Sequence, residues 1–116
     1  MDKFLFLIRE DLNTRDVTSQ EHEKNLQLMT RWVESLAQSG NYVSSDPLLN
    51  TVRYVTTSNQ VLSDGPFIEA KEAISGFILT RAQNLEQAVS IAQTCPLVIN
   101  GLAAVEVRPV LMIDHI

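Results

Sequence analysis

Residues 3–9 read "KFLFLIR", and every position from Phe4 to Ile8 is apolar. Side chains alternate across a strand, so Phe4, Phe6 and Ile8 face one side while Leu5 and Leu7 face the other. A strand apolar on both faces must be covered on both, which places it in the middle of its sheet. "ISGFILTRA" (Ile74–Ala82) repeats the pattern, with Phe77 and Leu79 opposite Ile78, and supplies a second central strand. Between the two, Thr18 and Glu21 have the spacing of a helix capping box, and Leu26, Met29, Val33, Leu36 and Ala37 recur at helical intervals. That spacing predicts a helix over Ser19–Ser39, stopped by Gly40. "NYVSSDPLL" (Asn41–Leu49), "NTVRYVTTS" (Asn50–Ser58) and "VLSD" (Val61–Asp64) are short extended segments broken by Asp-Pro and Ser-Asn, and predict an edge excursion or hairpin. Asn84 caps a second, short helix with the stripe Leu85, Ala88, Val89 and Ala92, which Pro96 ends. In "AAVEVRPVLM" (Ala103–Met112), Val105 and Val107 alternate with Glu106 and Arg108, and Pro109, lacking a ladder donor, puts this strand at an edge or a bulge. The order strand, helix, hairpin, strand, helix, strand is that of an α+β, ferredoxin-like sandwich.

Two helices cover only one face of such a sheet. The other face keeps one apolar set from each central strand, too much for a comfortable monomer. A second copy packed sheet to sheet would cover it, giving a homodimer with a cavity between the sheets. The 116 residues are expected to form one domain, 1–116. A formal net charge of −5 argues against a direct nucleic-acid footprint. No apolar run is long enough to span a membrane, and Arg9 and Glu10 interrupt the first apolar run too early for a signal peptide. A single cysteine, Cys95, excludes an internal disulfide or a cysteine-rich metal cage. A cytoplasmic setting with neither metal nor cofactor is the expectation.

Several short motifs recur in a fixed order: Val52 and Arg53; Asp64-Gly65-Pro66-Phe67 followed by Lys71 and Glu72; Cys95 and Pro96; and Val105 to Pro109. As an ordered set over nearly the whole chain they resemble the DGPF family of the YCII-related superfamily. The resemblance implies a dimeric α+β barrel. Some relatives lie beside genes for extracytoplasmic-function sigma factors, which implies a regulatory association for the group. Other YCII relatives carry a His–Asp pair suited to acid–base work, since a carboxylate orients an imidazole and keeps it basic. The histidine position falls near Met29 here and the aspartate position at Cys95.

The charged residues carry the candidate chemistry. Gly65 and Pro66 shape a turn, and Asp64 either braces it by accepting backbone N–H bonds or is aimed with Lys71 and Glu72 at a cavity. Glu69 reads as a solvated charge. Arg53, Glu106 and Arg108 fall in predicted strands, with Glu106 and Arg108 opposite Val105 and Val107; if those valines meet the helices, the charged pair points into the barrel. Charges there need partners: they form either a structural ion-pair network or, with the arginine forks, an anion site. The Asp64 turn and the Glu106/Arg108 strand are expected to meet in one polar cluster. Cys95 follows the second helix rather than opening one and reads as a buried structural thiol. His22 lies in a first helical turn and His115 near a terminus, both poor catalytic candidates. Trp32 and Tyr42 read as packing residues. Three functions remain open: a binder of a small anionic molecule using Arg53, Asp64, Lys71, Glu72, Glu106 and Arg108; an isomerase- or lyase-type enzyme with Asp64 or Glu106 as general base; and an interaction module tied to sigma-factor regulation.

Overall fold

A computed structural model describes residues 1–11, 18–49, 51–63 and 72–113. The elements are β1 (Asp2–Asp11), α1 (Ser19–Gln38), β2 (Tyr42–Pro47), β3 (Tyr54–Val55), β4 (Val61–Leu62), β5 (Glu72–Ala82), α2 (Leu85–Ala92), α3 (Pro96–Ile99) and β6 (Ala103–Pro109). Four strands form an antiparallel sheet in the order β2-β5-β1-β6, and β3 and β4 pair separately as a small hairpin. With α1 following β1 and α2 following β5, this is a ferredoxin-like α+β sandwich carrying the hairpin as an insertion. The two strands that are apolar on both faces, β1 and β5, are the central pair. β6, with Pro109 as its last residue, is an edge, where a missing N–H costs no ladder bond.

Local signals fix the element ends. Thr18 Oγ1 accepts the Glu21 N–H at 3.1 Å, and Gly40 closes α1 at φ +80°, a conformation that residues with a Cβ resist. Asn84 Oδ1 accepts the Gln87 N–H at 2.8 Å to start α2. At Gly76 the chains of β2 and β5 approach so closely that an added Cβ would lie 3.2 Å from the Asp46 carbonyl oxygen.

The helices cover one face of the sheet. Phe4, Phe6, Ile8 and Ile78 pack there with Trp32 and Leu36 of α1, Ala88 and Ala92 of α2, Cys95, and Leu97 of α3. Among the described residues the buried side-chain polar groups are satisfied: the Thr80 hydroxyl donates to the Phe4 carbonyl at 2.9 Å, and Trp32 Nε1 donates to Thr94 Oγ1 at 2.8 Å. The stripe of α1 is rotated from the expected one. Trp32 and Leu36 are buried and Met29 and Val33 half-buried, while Leu26 and Ala37 are exposed. The indole takes the centre of the contact, leaving those two residues on its flank. Similarly, Ala88 and Ala92 are buried in α2 but Leu85 and Val89 are partly exposed, because small residues bring that helix close to the sheet.

Two local expectations are corrected. Pro96 does not end α2, which stops at Ala92; it is the first residue of α3, and Cys95 is its N-cap, so Cys95 does open a helix. Proline suits that position because its φ is already helical and its absent N–H would have had no partner. Arg53 does not lie within a strand: it stands just before β3.

Phe6→Ala should cost about 3–5 kcal/mol in urea unfolding, the range for truncating a buried phenylalanine. Leu26→Ala should change stability by less than about 0.5 kcal/mol, as for an exposed position. Comparable losses from both would put α1 back in the orientation expected from its spacing alone.

Candidate functional site

The helix-free face of the sheet is apolar at its centre and charged along one side. Leu5 pairs with Leu79 and Leu7 with Phe77 across β1 and β5, and all four are half-buried. On the other flank of β1, Arg108 stands opposite Leu5 and Glu106 opposite Leu7. Arg9 continues the Leu5–Leu7 set and is therefore diagonal to Glu106, within reach of a long side chain.

The contacts form a clamp. Arg9 binds Glu106 Oε1 through Nη2 at 2.9 Å and Nε at 3.0 Å, while Arg108 Nη1 donates to Oε2 at 3.0 Å. Each carboxylate oxygen thus takes one guanidinium. The Arg9 and Glu106 side chains are 32% and 31% exposed, whereas that of Arg108 is 67% exposed. The hydrogen bonds from Arg108 and then Arg9 hold the Glu106 carboxyl below the usual glutamate range. That makes it a weak base, ill-matched to proton abstraction near neutral pH. Two guanidinia against one carboxylate leave one positive charge, and most of the Arg108 fork is uncommitted. This can hold an anion and orient its oxygens.

Of the sequence-predicted residues, Glu106 and Arg108 come together on this face. Arg53 does not join them: it is exposed, and its Nη1 donates to the Val52 carbonyl at 2.9 Å. Asp64, Lys71, Glu69 and His115 lie outside the described residues, as does the meeting of the Asp64 turn with the cluster. Glu72 is described in its backbone, which opens β5 opposite Asp11, while Arg9 pairs with Ile74. The chain therefore enters β5 at the same end of the sheet that carries Arg9. Arg9 itself was missed from sequence. The available signal was its place in the Leu5, Leu7, Arg9 alternation, but its partner is 97 residues away. A register slip between Ile8 and Arg9 places Ile74 rather than Ser75 beside it.

Away from this face, Cys95 is fully buried, with Sγ 3.8 Å from Met29 Sδ. Burial pushes its thiol above the ordinary range, against the opposing pull of the Val98 and Leu97 backbone N–H groups. The thiol is protonated and inert at neutral pH. His22 is exposed in the first turns of α1. No group of three or more His, Cys, Asp or Glu among the described residues is placed to hold a metal ion. No described helix is long and apolar enough to cross a membrane.

These features define an α+β domain whose open sheet face carries an arginine–carboxylate clamp. The chain belongs to the YCII-related domain family, whose model matches residues 3–111. A solved structure with the same fold is 5-chloro-2-hydroxyhydroquinone dehydrochlorinase TftG from Burkholderia phenoliruptrix AC1100, in complex with 2,5-dihydroxybenzoquinone. It is 19% identical, covers 97% of each chain and has a TM-score of 0.59. No curated protein matches the chain.

Because the Glu106 pKa is lowered on folding, its contribution favours the fold at neutral pH and is lost as pH falls below about 4.3 and through the folded value. The gap in urea midpoint between the parent and Glu106→Gln, present at about pH 7, should therefore narrow steadily as the pH is lowered through the carboxylate range. A gap that does not change with pH would show that the clamp does not hold Glu106 ionised.

Proposed function

We propose that this protein binds a small anionic molecule in a cavity formed when two copies pack their helix-free sheet faces together, with Arg108 as the main ligand contact and Glu106 and Arg9 positioning it. The observation that carries this reading is the Arg9–Glu106–Arg108 clamp beside the half-buried Leu5, Leu7, Phe77 and Leu79. A purely structural ion pair needs one arginine. A second one, two-thirds exposed and bonded through a single nitrogen, leaves donors for a ligand. Burial of that apolar centre by a second copy would raise the strength of each remaining polar contact. The bound molecule of the structural neighbour, 2,5-dihydroxybenzoquinone, is small, planar and acidic, the kind of oxygen-rich ligand such a fork suits. Within the family, the Asp64–Phe67 motif and its ordered companions support the DGPF branch.

Binding is favoured over acid–base catalysis by a specific feature. The positions that the resemblance assigns to a His–Asp pair fall near Met29 and at Cys95. Those residues do meet in space, but as thioether and thiol, and neither is a proton shuttle at neutral pH. Glu106 is too weakly basic to replace them. An enzyme would then need Asp64 as its base.

Sedimentation equilibrium at micromolar concentration should give twice the chain mass; a stable monomer there would sink the two-copy cavity. In a thermal-shift titration with 2,5-dihydroxybenzoquinone and a panel of small mono- and dicarboxylates, at least one should stabilise the protein. Arg108→Ala should weaken that ligand about tenfold or more, the scale of a lost charge-assisted hydrogen bond. A large fall in stability with unchanged affinity would instead make the clamp structural.

A further inference from the structure

The β3–β4 hairpin and its approaches, residues 48–63, do not suit a solvated loop. Their only charged residue is Arg53. Leu49 is 87% exposed, Val61 64% and Val55 59%, and Leu48 and Val52 are also exposed. The two strands pair only through Tyr54–Leu62 and Val55–Val61, and a hairpin so short is not stable by itself in water. The arm stays joined to the sheet where the Leu48 N–H donates to the Ser75 carbonyl at 2.8 Å, and its residues are not members of the hydrophobic core cluster among the described residues. So many exposed large hydrophobic side chains on one short hairpin suit a surface that lies on something else.

The strand order indicates what that is. The arm leaves the sheet from β2, one edge, whereas the clamp is anchored on β6, the other edge. Three strand spacings, about 14 Å, separate those edges, and in its own chain Arg53 bonds only to the Val52 carbonyl among the described residues. Two identical sheets stacked face to face about a two-fold axis parallel to their strands would set the β2 edge of each over the β6 edge of the other. The arm would then fall across the partner's open face, with its single cation on the side of the sheet that carries Glu106. Building on the anion-binding dimer described above, we infer that the β3–β4 arm crosses to a second copy and that Arg53 completes the Arg9–Glu106–Arg108 site in trans. Three guanidinia against one carboxylate leave two positive charges and two free forks, from Arg53 and Arg108. The ligand that balances them is a small dianion, or a planar molecule with two acidic oxygens on opposite sides.

Crosslinking tests the crossing without knowing the ligand. Arg53→Cys and Arg108→Cys are prepared singly and together, Cys95 being fully buried and left in place. Each is treated with a short bismaleimide and run on a denaturing gel, and its mass is measured in parallel by sedimentation. The double variant, and an equimolar mixture of the two single variants refolded together, should give a covalent dimer that neither single variant gives alone. The mixture carries the test if the double variant fails to fold. A dimer by sedimentation with no crosslink in either sample would overturn the shared site while leaving the dimer standing. Crosslinked dimers from a single variant alone would mean that like edges meet, which overturns the arrangement. A monomer by sedimentation removes the dimer and the shared site together.

Discussion

The structure depends on a mismatch between strands and helices. β1 and β5 are apolar on both faces, but among the described residues helices cover one face only. On the covered side, Phe4, Phe6, Ile8 and Ile78 meet Trp32, Leu36 and two alanines and make the core. On the other side Leu5, Leu7, Phe77 and Leu79 stay half-buried, bordered by charge rather than by more hydrocarbon. An open apolar sheet with a charged margin is the surface on which the proposed second copy would pack. The proposed binding site and the proposed placing of the arm both start from that one uncovered face.

Electrostatics then support the proposed reading of the site as a binding site. A carboxylate that accepts from two guanidinia is held ionised, and its basicity is spent on them. Glu106 is therefore better suited to fixing arginines than to taking protons. The exposed fork of Arg108 is the reactive part of the cluster in the binding sense: it is positioned by Glu106 yet not saturated by it. Near the positions that the resemblance marks for proton transfer, Met29 and Cys95 make a sulfur contact against the core, where burial keeps the thiol neutral. The sulfurs at Met29 and Cys95 pack, as polarisable side chains do in irregular interior gaps.

Much of the fold was legible in the sequence because its signals are local. The double-faced runs at Phe4–Ile8 and Phe77–Leu79, the Thr18 and Asn84 caps, the Gly40 stop and the Val105–Pro109 alternation each state their element within a few residues. The errors were also local and small. Pro96 can terminate one helix or begin the next, and only the three-dimensional path of the chain selected the latter. In its observed rotation α1 brings Trp32 to Thr94, a partner 62 residues away that no local spacing marks.

For the site, the sequence by itself determined that Glu106 and Arg108 share one face of the last strand, since alternation alone requires it. It also determined that this face is the one opposite Val105 and Val107. Only the tertiary structure decided that Arg9 binds Glu106 and that Arg53 stands apart on the β3–β4 arm. Both depend on which strands are neighbours: in the order β2-β5-β1-β6, β1 and β6 are adjacent despite the length of chain between them, and β2 is at the far edge. Strand order is fixed by packing both central strands at once against the helices, a condition that no local stretch of sequence contains.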